Sequence, residues 1–334
     1  MTTQAMNRRI LVLFPGALGD FICFLPALRA LAQTAFVDLF ARSEFADLVP
    51  ATVRVRSLEC YEIRRLFVSG TCNEGKMRSF FAGYASIYSW MGSGQNLFVR
   101  QIQNLCQGRA HIFAFDSEAT KGHQSEYYLS CLGVVAGESL IPTIPLKPEA
   151  IAWSADYWAR HSLNGRQVLL LAPGSGAREK NWPVQSFAAV AGWWRAREGE
   201  ALVILGPVEE DRGQFELLLR QYKTARNLTL AELAALIARG DLFLGNDSGI
   251  THLAAALGTP TLALFGPSNL EKWRPQGERV QIIKRTLECA PCAISVMKHC
   301  GHRSCLSALE PAEVIQQLRA MAQGSRLDKV GVRD

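Results

Sequence analysis

Residues 240–269 read GDLFLGNDSGITHLAAALGTPTLALFGPSN. The run LFLGN from Leu242 is continuously apolar up to Asn246, Asp247 and Ser248 occupy a turn, ITHLAAAL begins a helix, and PTLALFG from Pro260 is a second apolar run. Unbroken rather than alternating apolar runs suit parallel strands covered on both faces. The same kind of run recurs as ILVLF from Ile10, FVDLF from Phe36, HIFAF from His111, VLLLAP from Val168 and ALVILG from Ala201, with helix-length segments between them. Strand and helix in alternation predict an α/β protein with doubly wound parallel sheets.

At 334 residues the chain is long enough for two domains, each burying its own core. The three prolines of IPTIPLKPEAI, from Ile141, place a boundary near residue 150, giving domains over 1–150 and 151–325. Each half then opens with a strand and a glycine-containing turn, FPGALGD at Phe14–Asp20 and APGSGAREKNWP at Ala172–Pro183. Two such sheets facing each other put both turns at one cleft, because ligands bind beyond the carboxyl ends of parallel strands. The last helix, EPAEVIQQLRAMAQ from Glu310, carries Val314, Ile315, Leu318 and Met321 on one face. That face is free to pack back on the first domain.

A chain 49% hydrophobic and 20% charged, without repeats, is an ordinary globular composition rather than a disordered one. Its apolar segments are interrupted well before the ~20 residues that cross a bilayer. MTTQAMNRR lacks the apolar core of a signal peptide. A cytoplasmic protein is expected, with peripheral contact at the inner membrane face as its one membrane option. The net charge of +6, from 36 Lys and Arg against 30 Asp and Glu, is spread along the chain and suits anionic ligands without calling for nucleic acid. An odd count of nine cysteines, with no export signal, points to reduced thiols.

Three stretches carry chemistry. The turn after LFLGN puts the N–H groups of Ser248, Gly249 and Ile250 at a helix N-terminus, where a phosphate is favoured. Gly249 lets a diphosphate approach the backbone, Asn246 and Asp247 flank it, and His252 adds a side-chain donor in the first turn. The alternative is a simple cap with a packed histidine. In APGSGAREKNWP, a loop of small residues that includes Ser175 delivers Lys180 to the strand end, where an ammonium can neutralise a departing pyrophosphate. A solvated surface lysine is the plain alternative. Trp182 and Pro183 read as packing residues. LGPVEED ends another strand, and Glu210 there can accept hydrogen bonds from a ribose hydroxyl pair, with a solvated acidic turn as the equally natural alternative.

Taken together, RILVLFPGALGDFICFLPALRAL, HQSEYYLSCLG from His123, LLLAPGSGAREKNWPVQSFA and LAELAALIARGDLFLGNDSGITHLAAALGTPTLALFGPSN resemble glycosyltransferase family 9, the ADP-heptose:lipopolysaccharide heptosyltransferases. The resemblance is weakest between residues 45 and 110. It implies a GT-B fold of two facing Rossmann-like domains, the first binding the acceptor and the second the nucleotide-sugar donor. It also implies a metal-independent inverting transfer. The family's base falls on Asp20, its leaving-group lysine on Lys180, and its nucleotide-sugar turn on Asp247, Ser248, Gly249 and His252. In that reading Gly16 and Gly19 let the first turn lie close to the sugar while Asp20 takes the acceptor's proton. The alternative for Asp20 is a helix cap. One departure is that QYKTARNLTLAELAAL carries a shorter loop than the family has ahead of this helix, in a region that contacts the base.

The expected acceptor is an anionic glycan or glycolipid such as the lipopolysaccharide core, with some of Arg54, Arg56, Arg64, Arg65, Lys76 and Arg78 as candidate partners for its phosphates and a plain solvated surface as the alternative. Rival readings are a nucleotide-sugar epimerase on the same fold and a catalytically silent sugar-nucleotide-binding protein. A dinucleotide oxidoreductase fits less well, because GALGD lacks the three-glycine fingerprint. No cofactor is expected. CAPCAISVMKHCGHRSC holds Cys289, Cys292, Cys300 and Cys305, for which structural zinc stands against reduced thiols or a local disulfide.

Overall fold

The computed structural model describes residues 8–70, 74–116, 121–134, 139–206 and 215–330, with side chains to residue 323. The chain divides into two compact units, Met1–Leu140 and Ile141–Asp334. The division falls ahead of the proline-rich run, because the helix Pro148–Arg160 that follows it packs on Leu230–Arg239 of the second unit.

The first unit is built on a five-stranded sheet of β1 (Arg9–Leu13), β2 (Phe36–Ala41), β3 (Val53–Ser57), β4 (Ser86–Ser89) and β5 (Ala110–Ile112). All neighbours are parallel, in the order β3-β2-β1-β4-β5. The second unit has six parallel strands, β6 (Val168–Ala172), β7 (Glu200–Ile204), β8 (Lys223–Ala225), β9 (Leu242–Asn246), β10 (Thr261–Phe265) and β11 (Val280–Lys284). Their order is β11-β10-β9-β6-β7-β8. Both sheets reverse direction of growth beside their first strand, between β1 and β4 and between β6 and β9. In doubly wound sheets this reversal opens a crevice at the carboxyl ends of the strands.

Side-chain chemistry explains the layout. Every residue of β6, β9 and β10 is buried, as central parallel strands require. The edge strand β3 instead alternates, with Arg54 and Arg56 exposed. Beneath Arg54 lies Asp38 of β2, fully buried, which accepts hydrogen bonds from Arg54 Nε at 2.7 Å, Tyr84 Oη at 2.9 Å and Arg9. Burial pushes the Asp38 pKa up, but the hydrogen bonds from Arg54, Tyr84 and Arg9 outweigh it and hold the carboxyl below its ordinary value. Burial and the same carboxylate raise the Tyr84 phenol to about 12. Arg54 is thus tied to Asp38, Arg78 pairs with Glu74 at 2.6 Å, and Arg64 and Lys76 lie 3.9 and 3.8 Å from Glu59 and Glu62, so four of the basic residues expected at an acceptor already have carboxylate partners.

At the carboxyl end of β1, Phe14 stacks on Phe24 at 4.3 Å and meets the edge of Tyr128 at 5.6 Å, while Phe24 packs on Trp90 at 4.8 Å. This aromatic knot fixes where helix α1 (Leu18–Thr34) begins. In the second unit, Val314, Leu318 and Met321 of the last helix, Pro311–Val330, join the core around Trp182, Phe187 and Trp194. The apolar face that the sequence left free for the first domain is therefore committed within the second.

Candidate functional site

The crevice of the second sheet is flanked by the loops that follow β6 and β9. Asn246, the last residue of β9 and fully buried, joins the two: its Nδ2 donates to Pro173 O at 2.7 Å and its Oδ1 accepts from Trp182 N at 3.0 Å. The intervening segment closes on itself, with Ser175 Oγ 2.6 Å from Ala177 O and 2.7 Å from Asn181 Oδ1. Ser175 is 2% exposed, and Trp182 donates its indole N–H to Leu309 O at 3.0 Å. Of the residues expected to bind substrate, Asn246 and Ser175 therefore brace the loop from inside.

That brace sets the short helical turn Arg178–Lys180, and Lys180 Nζ reaches Asp247 Oδ2 at 2.8 Å across 67 positions of sequence. Ser268, in the loop after β10, donates to the same carboxylate oxygen. The Lys180 side chain is 30% exposed and that of Asp247 7%, so the lysine is the accessible member of the pair. Next to them helix α2 (Gly249–Ala256) starts. Ser248 caps it, its Oγ accepting from Thr251 N at 3.4 Å and lying 3.1 Å from Thr251 Oγ1, which donates to Asn246 O at 2.5 Å. The cap uses the third amide of the helix, whereas the N–H groups of Gly249 and Ile250 have no acceptor within it. An ammonium beside free amides at a helix N-terminus is a binding place for a polyanion such as a diphosphate. His252, in this first turn, is buried with 4% exposure.

Thr251 and Ser268 were not singled out from the sequence. Thr251 was legible as the third residue after a serine cap. Ser268 was not, since only the pairing of β9 with β10 brings the loop after β10 beside Asp247. Glu210 lies outside the described residues.

In the first unit, the turn FPGALGD enters α1. Asp20 Oδ2 accepts from Ala17 N at 2.9 Å, the backward half of a capping arrangement. Gly16 is dictated by packing: a Cβ there would lie 2.5 Å from Phe14 Cε1 and 2.7 Å from Asp20 Cβ. The glycine, the ring and the carboxylate are thus locked together. Gly19 lies within the first turn of the helix and is half-buried.

Cys289, Cys292, Cys300 and Cys305 are free thiols and line one small enclosed cavity with Glu179 and His302. Burial, then the neighbouring thiols, raises the pKa of Cys292 and Cys305. Among the described residues no group of three or more His, Cys, Asp or Glu side chains is arranged to hold a metal ion. Among the same residues no helix is long and apolar enough to cross a membrane.

Comparison with known proteins bears on these features. Residues 138–299 match the model of glycosyltransferase family 9 (heptosyltransferase). The chain is 32% identical over 174 residues to lipooligosaccharide heptosyltransferase 2 of Campylobacter jejuni, covering 49% of this chain and 54% of that protein. It is 24% identical to lipopolysaccharide heptosyltransferase 1 of Pseudomonas aeruginosa, covering 94% and 98%. In several such matches the chain spans about half the length of the curated relatives. Among solved structures, the ADP-heptose lipopolysaccharide heptosyltransferase II of Escherichia coli superposes with a TM-score of 0.71 at 18% identity, covering 95% of this chain and 99% of that one. The two parallel-sheet α/β units are thus those of a GT-B fold. Residues 138–299, just under half of the chain, carry the sequence pattern of glycosyltransferase family 9 (heptosyltransferase), and the fold of the chain agrees with that likeness.

Proposed function

We propose that the protein is an inverting glycosyltransferase that moves heptose from ADP-heptose onto a lipopolysaccharide core or a similar anionic glycan. The observation that carries this reading is the placing of Lys180 on Asp247 at the N-terminus of α2, at the crevice of a doubly wound sheet. The donor's diphosphate takes the amides of Gly249 and Ile250, and Lys180 turns from Asp247 to the phosphate oxygens. As the bond to the anomeric carbon breaks, negative charge grows on the leaving oxygen, and the ammonium stabilises it without a metal. Asp247 and Ser268 hold the lysine in place between turnovers.

On the acceptor side, Asp20 accepts the proton of the attacking hydroxyl. Inversion requires that hydroxyl to approach the anomeric carbon from the face opposite the diphosphate, with a base beside it. The Ala17 N–H donates to one carboxylate oxygen and orients the group at the start of the helix. The relatives' names support heptose as the sugar and lipopolysaccharide as the acceptor class. The protein would work in the cytoplasm, at the inner membrane face where such acceptors are assembled.

The test is release of ADP from ADP-heptose with and without a heptose-deficient lipopolysaccharide core. ADP release that depends on the acceptor, and that falls by about 100-fold in Asp20→Asn and in Lys180→Ala, is expected. Donor turnover without acceptor would mean an epimerase. ADP binding with no turnover would mean a silent binding protein.

A further inference from the structure

The second unit contains a cavity of about 300 Å³ that the donor reading does not use. Gln167, just before β6, and Gly199, just before β7, lie in its wall, so it sits at the amino end of the sheet, away from the crevice beside Lys180. Its sides come from the helix Val184–Arg195 and the last helix, Pro311–Val330, which pack on each other. Trp193 and Arg197, at and just past the end of the first, line it together with Arg319 and Gln323 of the second.

The lining carries two guanidinium groups and no carboxylate. Among the described residues neither the Arg197 nor the Arg319 side chain has an ion pair or a hydrogen bond, whereas Arg160, Arg220 and Arg285 of the same unit each meet a carboxylate. Arg197 lies instead over the Trp193 ring, 5.0 Å from its centre, a contact that holds the guanidinium without neutralising it. The indole adds a third donor. Trp193 Nε1 is buried and has no hydrogen-bond partner, while the adjacent Trp194 gives its N–H to Gln167 O at 3.1 Å. A buried donor left unpaired costs stability, and a ligand that brings an acceptor oxygen removes the cost.

We propose that this cavity is a second anion site, distinct from the donor crevice, which takes a phosphomonoester. A phosphate group has enough oxygens to accept from two guanidinium forks and an indole N–H together, and arginine suits that planar, bidentate contact. The volume is at the lower end of ligand pockets and leaves room for a short hydroxylated tail beside the neutral amides of Gln167 and Gln323. Such a phosphate belongs either to a small soluble metabolite or to the headgroup of a phosphate-bearing lipid.

The experiment is equilibrium dialysis of the full chain against inorganic phosphate and, separately, glycerol 3-phosphate, at constant ionic strength. The variants are Arg197→Gln, Arg319→Gln, the two combined, and Trp193→Phe, which keeps a ring and removes the indole N–H. The donor crevice is intact in all of them, so the difference from wild type reads the cavity alone. For both probes we expect the double variant to retain about one equivalent fewer than wild type, and each single arginine variant to bind that equivalent about 10-fold more weakly. Trp193→Phe should weaken it about 5-fold. The arginine variants, whose side chains make no other polar contact, serve if Trp193→Phe folds poorly. Lys180→Ala should keep the equivalent that the double variant loses. Phosphate and glycerol 3-phosphate retained equally by wild type and the double variant would overturn the proposal, as would retention of neither probe by wild type at millimolar concentration. Sedimentation with phosphatidylcholine vesicles, with and without phosphatidic acid, separates the sources. Pelleting that needs phosphatidic acid and is lost in the double variant assigns the site to a lipid headgroup, and any other pattern, with the equivalent still bound in dialysis, assigns it to a soluble phosphomonoester.

Discussion

Replacing Asn246 should separate bracing from substrate binding. In Asn246→Ala, the Trp182 N–H and the Pro173 carbonyl lose their partners in a buried setting. Each unsatisfied backbone group costs about 1–3 kcal/mol, so the pair amounts to about 2–6 kcal/mol. That is a large share of the stability of an ordinary domain. Asn246→Asp has the same shape and keeps the acceptor for Trp182 N, but it sets a second oxygen 2.7 Å from Pro173 O, where a donor stood. The aspartic acid can keep that contact only with its proton on, so its folded pKa is raised above the unfolded value near 4. A raised pKa makes the sign definite: the Asp variant approaches wild type below pH 4 and loses stability as pH rises through the folded pKa. The assay is urea unfolding by circular dichroism at a series of pH values, following the transition of the second unit as the difference from wild type. ADP binding should weaken in both variants at pH 7, because the turn that carries Lys180 loses its anchor. Unchanged unfolding midpoints in both variants, with ADP binding lost, would refute the brace and return Asn246 to the ligand.

Other expectations follow from the same contacts. Gly16→Ala forces a methyl group against Phe14 and the Asp20 Cβ and should cost about 1–3 kcal/mol by overpacking. It should lower kcat while ADP affinity stays as in wild type, as thermal shift and ADP-release assays will show. Asp38, with its depressed pKa, contributes stability that is full above the unfolded carboxyl value near 4 and is lost as pH falls through the lower folded value. Unfolding of the first unit should therefore be acid-sensitive, and Asp38→Asn should flatten that slope at a cost of about 2 kcal/mol at neutral pH.

The legible part of the fold was its central strands. β6, β9 and β10 are buried along their whole length, and β1, β2 and β7 are apolar apart from Arg9, Asp38 and Glu200, so parallel pairing buries both their faces. β3, β8 and β11 lie at or near edges and carry exposed or half-exposed residues, so VRVRS, KTA and VQIIK gave no such signal. β4 is central, yet SIYS hides behind two serines, of which Ser89 satisfies itself by donating to Met91 O at 2.9 Å. At the site, residue types at strand ends were readable while their partners were not. The ion pair of Lys180 with Asp247 spans 67 residues and exists because β6 lies beside β9. The packing reason for Gly16 was equally hidden, since it depends on the direction of the Phe14 ring. The turn pattern shows a glycine and a carboxylate, and the aromatic knot shows why they are inseparable.

The bond from the Trp182 indole to Leu309 O has a consequence for synthesis on the ribosome. Trp182 follows the lysine turn closely, but its acceptor is made 127 residues later, in the segment that leads into the last helix. Asn246, which holds the other side of the same residue, also comes long after it. Domains fold as units while the chain emerges, the earlier one first. The first unit can thus acquire its structure early, whereas the lysine turn gains its first anchor only with Asn246 and its second only with Leu309. A nascent chain halted before Leu309 would carry every residue of the Lys180, Asp247 and Ser248 constellation and still lack one tie that sets it, so the proposed site is completed only when the segment around Leu309 has been made.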